Sequence, residues 1–221
     1  DHNLGWIANG YTWLGVAMRW TGQWDEALEN YRKGVEFETP GAFHGWSEGV
    51  LVTHLARLGR AREVQTLFEE KKGILEPMGR PRTLGEITLA LGLIEATWMI
   101  GLTDATTALR HVVDDALPTG VLYHVFDCRT MQLLAALAYD AAGDGDRAEE
   151  HFDAATEIAR SDLLVIEEAD ICLYRATSLM RRGEPPDGDS VRTFVERATM
   201  LLEGCGMERY LDLMKNTLSL P

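Results

Sequence analysis

Residues 7–40 read IANGYTWLGVAMRWTGQWDEALENYRKGVEFETP, and this stretch decides the fold. Ile7, Tyr11, Leu14 and Met18 recur at intervals of four, three and four, which predicts one face of a helix. Gly22 ends that helix, and a second begins near Asp25 with Ala27, Leu28, Tyr31 and Val35 on its inner face. Pro40 stops it. Two amphipathic helices joined by a short glycine turn form a hairpin.

The same punctuation recurs outward from this unit. Turn glycines are predicted at Gly22, Gly59, Gly101, Gly143 and Gly183, separated by 37, 42, 42 and 40 residues. A period of this size is the signature of stacked helical hairpins, because one such unit cannot bury its apolar faces alone. The approximate units are 4–40, 41–78, 83–118, 121–160 and 163–204, forming one domain over 1–221. In the fourth, Ala135-Ala136, Tyr139, Gly143, Ala148, Phe152 and Ala155 repeat the pattern, with Asp146 and Glu149 as an expected capping box. The third is the least regular, its second helix being set on Ala105 or Ala108. In the fifth, the turn is extended through 184–189 before Val191, Phe194, Val195, Ala198 and Leu201. Met207, Tyr210, Leu211, Met214 and Leu218 form a narrow apolar stripe, read as a capping helix over 206–219. The expected fold is an all-α solenoid of about five hairpins plus this cap.

Leu14-Gly15, Gly22, Ala27 after an acidic pair, and Tyr31 make residues 8–40 resemble a tetratricopeptide repeat, with Gly34 at the place of a small alanine and the proline one position late. The resemblance implies a right-handed superhelix whose first helices line a concave face that binds a protein or peptide. Mapped onto this chain, that face includes Asn9, Thr12, Arg19 and Trp20 in the first unit, Trp46, Thr53 and Arg57 in the second, Glu95 and Trp98 in the third, and Asp140 in the fourth. The ending Leu202-Glu-Gly-Cys-Gly-Met207-Glu-Arg-Tyr210 is similar to endings in the helical-repeat regions of LuxR-type transcriptional activators and of ATPases linked to adenylate-cyclase domains. That similarity implies a regulatory segment of a larger bacterial signalling protein, docking a partner or an adjacent domain of the same polypeptide. A second implied reading is a sensor that binds a small effector in the groove.

Trp6, Trp13 and Trp20 are spaced by seven and lie roughly 130° from the Ile7/Tyr11/Leu14/Met18 face. The first helix therefore has a second apolar face, to be covered by a preceding repeat, by self-association or by the second hairpin.

Composition narrows the partners. The 221 residues hold 35 acids against 21 bases, a net charge of −14, which argues against direct contact with a nucleic-acid backbone or an anionic membrane. Cys128, Cys172 and Cys205 are widely spaced, as expected of reduced thiols in a cytoplasmic protein. No secretory signal pattern opens the chain, and the missing initiator Met makes a cut-out segment the expectation.

The common catalytic signatures are missing from the sequence. It contains no phosphate-binding G-x-x-x-x-G-K-[ST], no G-x-S-x-G and no H-E-x-x-H. His124 and Cys128 stand at i, i+4 without two further zinc ligands. The adjacent pairs Asp114-Asp115, Glu149-Glu150 and Glu167-Glu168, like Lys71-Lys72 and Arg181-Arg182, read as solvated helix surfaces. Met18, Met180, Met200 and Met214 are expected on core faces. The reading is a non-catalytic interaction scaffold with no metal or cofactor.

Overall fold

The computed structural model describes residues 2–75, 82–123 and 129–220. The chain is all-α, with no strand among the described residues and a single isolated bridge between Tyr123 and Thr130. It forms two compact units, Asp1–Asp115 and Ala116–Pro221.

The first unit holds α1 (His2–Trp20), α2 (Trp24–Glu36), α3 (Trp46–Arg57), α4 (Ala61–Leu75), α5 (Leu84–Met99), α6 (Thr103–Ala108) and α7 (Arg110–Ala116). The second holds α8 (Met131–Ala141), α9 (Gly145–Ser161), α10 (Val165–Arg181), α11 (Asp189–Gly204) and α12 (Glu208–Leu218). All five expected turn glycines separate paired helices with φ between +69° and +103°. Only glycine reaches that region without a Cβ penalty, so the sequence period is a period of backbone turns.

Close contacts explain the small residues. A Cβ on Gly15 would stand 2.7 Å from the Tyr31 ring, and one on Gly34 would stand 2.6 Å from Thr12 Oγ1. Between α3 and α5 the backbones themselves meet. A Cβ on Gly92 would lie 2.1 Å from the Gly49 carbonyl oxygen, and one on Gly49 would lie 2.5 Å from that of Thr88. At the end of the chain, Tyr210, Leu211, Met214 and Leu218 are the buried residues of α12, as the stripe predicted.

The structure departs from the sequence reading in several places. On α1 the buried positions are Ala8, Thr12, Gly15, Val16 and Arg19, whereas Ile7 and Leu14 are exposed at 41% and 45%. The packing stripe is thus rotated from the large apolar residues towards small ones, because α1 approaches α2 through Gly15. The third hairpin is broken at Leu109 between α6 and α7, and its buried side chains are Thr106, Leu109, Val112 and Val113 rather than Ala105 or Ala108. Asp144, not Asp146, caps α9 by accepting from Arg147 N, and Glu149 forms an ion pair with Arg175 at 2.6 Å instead of closing a box. The capping box that does form is Thr83 with Glu86, on α5. Met200 is 55% exposed. The expected His124–Cys128 pair lies outside the described residues.

Candidate functional site

The expected concave-face residues are mostly interior. Thr12, Arg19, Thr53, Arg57, Glu95 and Trp98 are at most 2% exposed, and Trp46 is also buried. Asn9 and Trp20 are half-buried, and Asp140 keeps a buried carboxylate. Three of these side chains, Thr12, Arg57 and Asp140, link one first helix to the next. Thr12 donates to Ser47 Oγ at 2.8 Å, whereas Thr53 donates within α3 to the Gly49 carbonyl at 3.0 Å. Arg57 donates to Glu95 at 2.7 Å, and Ser178 donates to Asp140. The inter-hairpin links among these span 35 to 38 residues, so the repeat period is also the period of a polar seam. Arg19 lies over the Trp20 ring at 4.3 Å, and Trp46 meets Phe43 edge-on at 5.3 Å. Between α3 and α5 the physical reason is the glycine-mediated approach of the two backbones, which brings Arg57 and Glu95 together inside.

The second unit holds a further buried polar network. Arg129, just before α8, donates to both Glu167 and Asp170 of α10. Thr130 N donates to Glu167 at 2.8 Å, and the Tyr210 hydroxyl of α12 reaches Asp170 at 2.8 Å. Glu167 and Glu168 are therefore buried, not solvated as expected; Glu168 accepts from Arg160 and Arg197. Arg181, by contrast, stays exposed as expected, and partial desolvation lowers its pKa. Lys71 is mostly covered and pairs with Glu48 at 2.6 Å. One arginine facing two carboxylates leaves an excess negative charge, and burial pushes the Glu167 pKa from 4.5 to about 7 against the opposing pull of Arg129.

This has a measurable consequence. The folded state holds the Glu167 proton more tightly than the unfolded chain does, so its contribution to stability is full below pH ~4.5 and is lost as pH rises through about 7. A loss of ~3 kcal/mol across that window is expected. Denaturant melts of the wild type and of Glu167→Gln, compared across the window, check it: the variant's pH profile should be flatter.

What the molecule does present to solvent is a different set. Leu4, Phe43, Leu84, Leu122 and Leu163 are exposed at 36%, 51%, 39%, 53% and 82%. They are separated by 39, 41, 38 and 41 residues. Leu4 and Leu84 lie in the first turns of α1 and α5, Phe43 and Leu163 lie two or three residues before α3 and α10, and Leu122 precedes α8 by nine residues. In the first unit Phe43 and Leu84 are held together, since Gly85 N donates to the Ala42 carbonyl at 2.8 Å. In the second unit the Leu122 carbonyl accepts from Met131 N at 2.9 Å, while Leu163 adopts φ +57°. A leucine in the left-handed region and four-fifths exposed carries both backbone strain and apolar hydration, each costing ~1 kcal/mol or more. Residue-by-residue reading of helix faces missed this set because its members lie at helix starts and in connections. Its signal was available as large apolar residues recurring at the repeat period near the starts of the units.

The described side chains also limit the chemistry. Burial raises the Cys172 thiol to about 11, with Glu168 adding to the shift, so it is a poor nucleophile. Among the described residues no group of three or more His, Cys, Asp or Glu could hold a metal ion, and no helix is long and apolar enough to cross a membrane. Two grooves are open to solvent: one of about 700 Å³ between α11 and α12, floored by Val195, Met200 and Lys215, and one of about 550 Å³ along α4. Comparison of the chain with family models, with curated proteins and with solved structures returned no match. The tetratricopeptide resemblance therefore rests on the residues of this chain.

Proposed function

We propose that the protein is a non-catalytic docking scaffold of tetratricopeptide type, acting as a regulatory segment of a larger bacterial signalling polypeptide. The observation that carries this reading is the exposed apolar residues that recur at the repeat period in each unit, Phe43 and Leu84 in the first and Leu122 and Leu163 in the second. Aromatic and leucine side chains held on turns that interhelical backbone contacts fix in place are suited to anchor an apolar partner segment at little ordering cost. The chain's net charge of −14 favours a partner with basic residues flanking its apolar ones. A cytoplasmic setting and the right-handed superhelix belong to the same reading. The ending over 202–210 supports its narrower, signalling part.

The test pairs loss of binding with retained folding. Phe43→Asp combined with Leu84→Asp should abolish capture of a partner that the wild type retains, with an unchanged melting temperature. Leu163→Gly should raise stability by ~1 kcal/mol in a denaturant melt by relieving the left-handed backbone. It should weaken capture at the same time. A partner retained equally by these variants would overturn these residues as docking contacts. A metabolite that raised the wild-type melting temperature would move the reading to effector sensing, since ligand at 100 times its dissociation constant adds about 2.7 kcal/mol.

A further inference from the structure

The outer face of α1 is built to pack, and we infer that it joins two copies of this chain in an antiparallel helix pair centred on Gly10. Aligning the turn glycines places Gly10, Trp13 and Ala17 at the positions of Ser47, Val50 and His54 on α3, and of Ile171, Tyr174 and Ser178 on α10. All six of those later residues are at most 1% exposed. The hairpin before them covers them: Ser47 accepts from Thr12, His54 Nε2 meets the Trp24 carbonyl at 2.9 Å, and Ser178 bonds Asp140. On α1 the same face is exposed, with Trp6 at 77%, Ile7 at 41%, Trp13 at 47% and Leu14 at 45%.

Three features select a second copy as the occupant. First, the exposed apolar residues stand at −4, −3, +3 and +4 from Gly10. A two-fold axis through Gly10 maps this set onto itself, bringing Trp6 opposite the other copy's Leu14 and Ile7 opposite its Trp13, as an isologous interface requires. Second, no Asp, Glu, Lys or Arg lies between His2 and Met18. Two copies that each carry a net charge of −14 can thus meet here without burying an unpaired charge. Third, a Cβ built on Gly10 has no heavy atom within 4 Å, so a second helix can approach its backbone as α5 approaches α3 at Gly49. The other end of the chain lacks this character: the outer side of α12 presents Arg209, Asp212 and Asn216.

The four residues expose roughly 450 Å² per copy, so the pair buries ~900 Å², the scale of a weak and concentration-dependent association. Sedimentation velocity of the unmodified chain up to ~200 μM should show a reversible dimer with a dissociation constant of ~10–100 μM. Trp13→Glu should weaken it by at least ~30-fold while leaving the melting temperature of the dilute protein unchanged. Gly10→Cys, with Cys128 and Cys205 replaced by Ser, should form an intermolecular disulfide under mild oxidation, and Glu29→Cys in the same background should not. A monomer at every concentration would overturn the inference and leave the face to a helical hairpin of different sequence. A dimer that survives Trp13→Glu, or one in which Gly10→Cys does not cross-link, would overturn it by placing the contact elsewhere.

Discussion

Replacing Trp98 by alanine should cost ~3–5 kcal/mol of stability and lower the melting temperature by roughly 10–15 °C. Trp98 occupies the last turn of α5 and is 0% exposed, among the largest fully buried side chains. Its removal leaves a cavity of side-chain size, and α5 has little freedom to collapse into it because Gly85 and Gly92 already hold its backbone against its neighbours. Trp98→Phe should recover much of the loss. Thermal and urea melts of the three proteins decide the matter. If Trp98 were instead an exposed anchor for a partner, the alanine variant would melt like the wild type and lose only binding.

Gly92→Ala is the converse experiment on the same helix, and it should be destabilising by about 3 kcal/mol. The added methyl would sit 2.1 Å from the Gly49 carbonyl oxygen and 3.0 Å from the Gly49 Cα. Those atoms are backbone, so no side-chain rotation relieves the clash; α3 and α5 must separate. Separation also lengthens the Arg57–Glu95 ion pair, which is 2.7 Å long with both partners buried. Disrupting a buried pair costs more than an exposed one because each charge has given up its water. Gly73→Ala, on α4 with open space around the added methyl, is the control and should be neutral or slightly stabilising. Equal melting curves for the two variants would show that α3 and α5 do not pack through this glycine contact.

Much of the architecture was legible from residues alone. The period of 37 to 42 residues between Gly22, Gly59, Gly101, Gly143 and Gly183 located five turns, and each has the left-handed backbone that makes glycine the favoured residue there. The stripe of Tyr210, Leu211, Met214 and Leu218 located the closing helix, because a narrow apolar face at helical spacing has one reading. The candidate site was much less legible. The tetratricopeptide resemblance puts Arg19, Arg57 and Glu95 in a groove, and charged side chains are seldom fully buried as these are. Nothing local announces that Arg57 and Glu95, 38 positions apart, satisfy each other inside. The same holds for Glu167, Glu168 and Arg129.

The α1 helix shows the division clearly. Periodicity identified it as a helix with two apolar faces, since 3.6 residues per turn dictates which side chains share a side. Which face would be buried was not encoded in hydrophobicity: the interior took Ala8, Thr12, Val16 and Arg19 and left Trp6, Ile7, Trp13 and Leu14 exposed. The sequence by itself determined helices, turns and their repeat, because these follow from backbone conformation and local spacing. Only the tertiary structure decided which faces meet, because that depends on how closely two backbones approach, and glycines on different helices set that distance jointly.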